Sequence, residues 1–195
     1  MDFGRLFVIT ISNIFIVNYV LSRFLGLCPF FGVSRKMSSA VGMGLAVIFV
    51  MAMTAFVTWP IYYYILVPYD ITYLSTIVFI LVIAALVQFV EIVLNKTAQS
   101  LYQALGIYLP LITTNCCVLG VAVLNINDKL NFVEALTQGT MAGAGFTVAL
   151  LLMAGIRERI ELARIPSILR GIPIALISAG LMSISFLGFA GFNLR

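Results

Sequence analysis

No histidine occurs among the 195 residues. That absence excludes bis-histidine haem, histidine-ligated zinc or copper and a histidine proton relay within this chain. Charge is nearly as scarce, with 9% of residues Asp, Glu, Lys or Arg against roughly 25% in soluble domains. Cysteine is limited to Cys28, Cys116 and Cys117, none in a polar stretch of the kind that carries an extracellular disulfide framework. What is plentiful is apolar, at 63% of the chain. A soluble protein so poor in polar side chains has too little with which to cover its core, whereas lipid makes the shortage harmless. An integral membrane protein is therefore expected. Its net charge of +4 reports topology, and no nucleic-acid partner is expected.

Six apolar segments are predicted, roughly Phe3–Val33, Ser38–Trp59, Ile71–Leu94, Leu101–Leu124, Phe132–Gly155 and Ile172–Phe192. The first continues past residue 27 without a small-residue cleavage site, so it is read as a retained span and not as a signal peptide. A straight crossing needs about 20 residues, and this segment is longer. It also holds Gly26, Pro29 and Gly32, which loosen or break helices. The fourth has a similar fault line at Pro110 and Thr113-Thr114-Asn115-Cys116. Alternate loops divide the cations unequally. Arg23, Arg35, Lys36, Lys96, Arg157, Arg159, Arg164 and Arg170 fall on one side, and Arg5, Lys129 and Arg195 on the other. The richer side is expected to be cytoplasmic, with both termini outside. Arg157-Glu158-Arg159 reads as a solvated, topology-setting cluster.

The chain repeats itself. Cys28-Pro-Phe-Phe-Gly32-Val33 returns 88 residues later as Cys116-Cys-Val-Leu-Gly120-Val121. Gly42-Met-Gly44-Leu-Ala-Val47 returns 101 residues later as Gly143-Ala-Gly145-Phe-Thr-Val148. The second pair sits in small-xxx-small frames, Ser38/Gly42/Ala46 and Gly139/Gly143/Thr147, which let helices approach closely in lipid. A polar insert at Asn125–Asn131 accounts for the change in spacing. Three helices per half is an odd number, so the second half, about 98–195, must cross upside down relative to the first, about 1–97. The expected architecture is a single all-α transmembrane domain, 1–195, built as an inverted 3+3 repeat. Helices 1 and 4 are broken near the cysteines, where such folds place their functional site.

A cysteine in a membrane helix is ordinarily a small hydrophobe. Here Cys28 and Cys116 hold equivalent repeat positions at helix breaks, beside Pro29 and Asn115. A thiolate in low dielectric is costly unless a cation offsets it, so two facing thiolates suggest a metal. Zinc and iron–sulfur clusters take four ligands, so the others must come from another chain. Cys117 is a possible third ligand, although adjacent helical residues point about 100° apart. Glu91 and Asn115 are weaker candidates for an ion path. Asn13, Asn18, Thr113, Thr114 and Asn115 itself are expected to satisfy backbone groups freed by the breaks.

The runs Phe24-Leu-Gly-Leu-Cys-Pro-Phe-Phe-Gly-Val-Ser34 and Leu109-Pro-Leu-Ile-Thr-Thr-Asn-Cys-Cys-Val-Leu-Gly-Val121 closely resemble the A-type membrane subunit of Rnf electron-transport complexes. So do Gly42-Met-Gly-Leu-Ala46, Leu124-Asn-Ile-Asn127, Ile156-Arg-Glu-Arg159 and Ala179-Gly-Leu-Met182. The homologous E-type subunit of the Na⁺-pumping NADH:quinone oxidoreductase is similar. The resemblance implies a bacterial inner-membrane subunit of an ion-translocating ferredoxin:NAD⁺ oxidoreductase, not catalytic alone. It implies a homologous sister subunit (RnfE-like), with which one intramembrane [2Fe–2S] cluster is shared, and the remaining Rnf subunits as further partners. Cys28 and Cys116 would be this chain's ligands, the cluster relaying electrons across the membrane with Na⁺ or H⁺ transport coupled to it. Cys117 departs from the family pattern, in which a small apolar residue follows the ligand. A secondary transporter with an inverted repeat, or a structural scaffold for redox subunits, are the competing readings; neither needs paired thiols.

Overall fold

The computed structural model describes residues 3–97, 109–163, 166 and 169–188. Among them every regular element is helical: α1 Phe3–Ile11, α2 Leu27–Val33, α3 Met37–Ile61, α4 Ser75–Thr97, α5 Leu109–Thr113, α6 Cys116–Asn127, α7 Phe132–Glu161 and α8 Ile172–Leu187. A π-helical turn, Ser12–Ile16, extends α1, and another, Tyr62–Leu66, extends α3. Three described helical stretches are long and apolar enough to cross a bilayer: Met37–Leu66, Thr72–Val93 and Phe132–Glu161. Gly4–Ile14, Leu111–Asn127 and Ile172–Leu187 are shorter apolar helices. The start of the fourth sequence segment and the end of the sixth lie outside the described residues.

The antiparallel pair α3 and α7 forms the largest interface and the centre of the core. Glycines set its closeness. A Cβ on Gly143 would lie 2.8 Å from Ile48 Cα, and one on Gly139 would lie 2.9 Å from Ala55 Cβ and 3.1 Å from Met51 O. On α3 Gly44 packs on Thr147. Backbones that approach this nearly pack tightly without needing a hydrophobic drive between helices. Around the seam lie Met43, Met51, Phe146, Leu150 and Met153, all fully buried.

Between α1 and α2 the chain runs without regular structure from Val17 to Gly26. The interruption precedes Pro29 and Gly32, which sit inside α2. The physical reason is that proline in a first helical turn loses no bond, since that N–H has no intrahelical partner. Asn18 organises the irregular stretch. Fully buried, its Oδ1 accepts from Val20 N at 3.0 Å and Leu21 N at 3.4 Å, while Nδ2 donates to Gly145 O at 2.7 Å. Ser183 Oγ donates to Leu21 O at 2.6 Å, and Gln138 Nε2 donates to the Tyr19 hydroxyl at 2.9 Å. Backbone freed in this stretch is thus satisfied from inside the protein.

Two further expectations are corrected by the packing. Asn125–Asn127 belong to α6, so the polar insert shrinks to the turn before α7; Asn125 is buried and donates from Nδ2 to Ala135 O at 3.3 Å. The Arg157-Glu158 pair is not simply solvated. Arg157 Nη1 donates to Phe31 O at 2.8 Å and Ser34 Oγ at 3.0 Å, and Glu158 Oε1 accepts from Met37 N at 3.2 Å. One turn of α7 therefore clasps the corner between α2 and α3, completing helix ends that have no cap of their own.

Candidate functional site

The irregular stretch before α2 and the interruption before α6 meet in space. Gly26 is the contact. Its backbone N–H donates to Cys116 Sγ at 2.9 Å, across 90 residues of sequence. Its φ of +78° is the left-handed conformation that glycine adopts without penalty. No side chain would fit there either: a Cβ would lie 2.8 Å from Phe146 Cε2, 3.0 Å from Asn115 Oδ1 and 3.1 Å from Cys117 Cβ. Behind this junction Leu25 packs into the space that a Cβ on Gly120 would fill.

On the α6 side Asn115 sets the local geometry. It is the N-cap, with Oδ1 accepting from Cys117 N at 2.9 Å. Such a cap satisfies one of the orphan donors of the first turn and is worth about 1 kcal/mol. It also fixes the rotation of the two cysteines that follow. Cys116 is exposed, and Cys117 is fully buried in the same core as Val118 and Phe146. Cys28, in the first turn of α2, is exposed. Both exposed thiols thus stand at helix N-termini, where free N–H groups favour negative charge.

Asn115 keeps one further capacity. Its side chain is 3% exposed, and Nδ2 has no hydrogen-bond partner. Among the described residues only Thr54 Oγ1 and Asn125 Oδ1 share that condition. A buried donor without a partner costs roughly 1–3 kcal/mol. No group of three or more metal-binding side chains exists among the described residues. Two exposed thiols are what this chain offers at the junction.

The other residues singled out in the sequence lie elsewhere or serve the backbone. Glu91 is half-buried on α4. Asn13 Nδ2 donates to Ile9 O at 2.8 Å, and Thr114 Oγ1 donates to Leu111 O at 3.3 Å. Arg23 is exposed, its guanidinium 5.8 Å from the centre of the Tyr19 ring. Sequence reasoning missed Gly26 as a donor to sulfur. Its position two residues before Cys28 was the available signal, but nothing in the spacing says which thiol it serves.

The model of the family described as "Rnf-Nqr subunit, membrane protein" matches residues 6–193. The chain is 59% identical over 186 residues to the A-type subunit of the Na(+)-translocating ferredoxin:NAD(+) oxidoreductase complex of Acetobacterium woodii, covering 95% of this chain and 97% of that one. It is 55% identical over 187 residues to the A-type subunit of the ion-translocating oxidoreductase complex of Syntrophotalea carbinolica, covering 96% and 97%. Against the subunit of the same name from Serratia proteamaculans the identity is 54% over 181 residues, covering 93% and 94%.

Proposed function

Because the chain belongs to the Rnf-Nqr family of membrane subunits, we propose that it is the A-type subunit of an ion-translocating ferredoxin:NAD⁺ oxidoreductase complex. In this reading it relays electrons through a [2Fe–2S] cluster shared with a homologous sister subunit. The observation that carries the reading is the bond from Gly26 N–H to Cys116 Sγ, which joins the two interruptions beside two exposed thiols. The residues present fit half of such a cluster. Cys28 and Cys116 are its two ligands from this chain, and four thiolates are needed, so the sister subunit supplies the other pair. Cys117 turns into this chain's own core and holds no iron.

A bound cluster supplies one-electron transfer. The chain's own groups do the rest. Gly26 N–H stabilises negative charge on the Cys116 sulfur, and Asn115, whose Oδ1 accepts from Cys117 N, fixes the turn that carries that sulfur. Phe146 and Cys117, packed behind Gly26, keep water from that side. The arrangement in the membrane is the inverted 3+3 repeat with six spans, divided near residue 97, with both termini outside the cytoplasmic membrane. Movement of Na⁺ or H⁺ is coupled to the electron transfer, with Glu91 the one acid inside the apolar stretch of α4.

Replacing Cys28 by Ser in the purified complex tests the assignment. Loss of about two irons per complex and of a reduced [2Fe–2S] resonance is expected. Full iron content with an unchanged resonance would remove the cluster from this chain and favour a transporter or scaffold.

A further inference from the structure

At one end of the helical bundle a cavity of about 460 Å³ is lined by Arg35, Arg157 and Arg170, with Glu161, Ile160 and Ile174. Three arginines and one acid line it. Arg35 comes from the turn after α2, Arg157 from the last turns of α7, and Arg170 from the residues just before α8. Arg157 is held in place, with its Nη1 engaged by Phe31 O and Ser34 Oγ. A guanidinium has five N–H donors, so three remain for a ligand.

The cavity does not end in polar surroundings. A second, shallow hollow, about 540 Å³, shares Ile160 with it and runs along the open face of α7 from Arg159 past Ile156 to Leu152. A third, about 330 Å³, shares Leu152 and Ile156 with the second and is closed on its far side by Leu181, Met182 and Phe186 of α8. The trough therefore starts at the arginines between α7 and α8, crosses an open face of α7 and meets the α7–α8 seam again in the apolar span. From Ile160 to Leu152 it descends about 12 Å at 1.5 Å per residue.

We propose that this trough is a binding site for an anionic phospholipid, with the phosphate on the three arginines and an acyl chain along α7 and α8. The excess of positive charge selects an anion, and the apolar continuation selects one that carries a hydrocarbon chain. Basic pockets between spanning helices bind anionic headgroups in this manner. Free phosphate meets the same arginines but gains nothing from the apolar seam. The inference rests on the membrane location of the family and not on the cluster, so the two readings fail separately.

The test uses the intact complex in membranes and phosphatidylglycerol with a diazirine on its acyl chain, at subsaturating concentration. Illumination followed by peptide mapping is expected to label the Leu152–Ile156 and Leu181–Phe186 stretches. The Arg35→Gln/Arg170→Gln variant spares the Arg157 clasp and is expected to lose about fivefold in labelling per arginine. Should that variant fail to assemble, the wild-type complex still decides: labelling must fall as salt is raised. A diazirine phosphatidylcholine is expected to label weakly, and millimolar inorganic phosphate to leave labelling unchanged. Equal labelling by both lipids, insensitivity to salt and to the substitutions, or displacement by phosphate would each overturn the proposal. So would absence of labelling in the intact complex, because another protein would then fill the seam.

Discussion

Gly26→Ala is the sharpest perturbation of the junction. At φ +78° an L side chain costs about 1–2 kcal/mol. Its Cβ would stand 2.8 Å from Phe146 Cε2 and 3.0 Å from Asn115 Oδ1. Phe146 is fully buried and Asn115 is tied down by its cap, so neither is a loose end that can swing away. Overpacking of this kind adds about 1–3 kcal/mol. Together the terms give about 2–5 kcal/mol of local destabilisation, roughly a thirtyfold shift in local opening at the lower end. Opening exposes Cys117, so its alkylation in the purified complex, read by peptide mass, should accelerate by at least that factor. The resonance assigned to the cluster should weaken or shift as Gly26 N–H leaves Cys116. Gly155→Ala is the matched control, with nothing nearer its Cβ than Met37 Cε at 3.7 Å. Wild-type alkylation in Gly26→Ala, or an equal effect in Gly155→Ala, would refute the close contact of the two interruptions.

Asn115→Asp keeps the capping oxygen but removes the Nδ2 donor and adds negative charge. If the proposed [2Fe–2S] cluster sits on Cys116, a potentiometric titration of its resonance should find the midpoint lowered by about 40 mV or more, the one-electron equivalent of about 1 kcal/mol of added repulsion; an unchanged or raised midpoint counts against a cluster beside Asn115. Gly143→Leu drives a side chain into the backbone of α3 at Ile48. It should cost about 1–3 kcal/mol, seen as a lower Tm of the complex, whereas an unaltered Tm would mean that α3 and α7 are not so closely packed.

The long helices were the legible part of the fold. Apolar runs of bilayer length announce α3, α4 and α7, because lipid imposes one length and one composition on any plain crossing. The irregular stretch was harder to place. Pro29 looks like a breaker, yet it is harmless in a first turn, and the organiser is Asn18, an ordinary polar residue in the sequence. Its role depends on Gly145 O, 127 positions away, which no local pattern carries. The α3–α7 seam was half legible for a related reason. A small-xxx-small frame says that a face can approach closely, but not that Gly44, two residues into it, is the one packed on Thr147. Of the site, the two cysteine motifs were visible in the sequence, and the donor between them was not.

The adjacent thiols at 116 and 117 show what a cap can decide. Sequence alone leaves either free to face the site. Asn115 Oδ1 holds Cys117 N at 2.9 Å, which fixes the first turn of α6, and the 100° step between neighbours then sends one side chain out and the other in. Cys116 meets Gly26 N–H, and Cys117 is 0% exposed among apolar neighbours. A thiolate at the second position would be buried without a counter-charge, which is costly by several kcal/mol. Reaching iron from there also requires unwinding the turn and breaking the cap. Proximity should therefore not rescue: Cys116→Ser is expected to lose the cluster although a thiol remains one residue away. Cys117→Ala should keep iron and resonance, at about 1 kcal/mol of stability for a small buried truncation. The pair of variants, compared for iron content in the purified complex, has one opposite outcome that would sink the argument. If Cys116→Ser retains the cluster and Cys117→Ala loses it, the cap does not set the phase of α6.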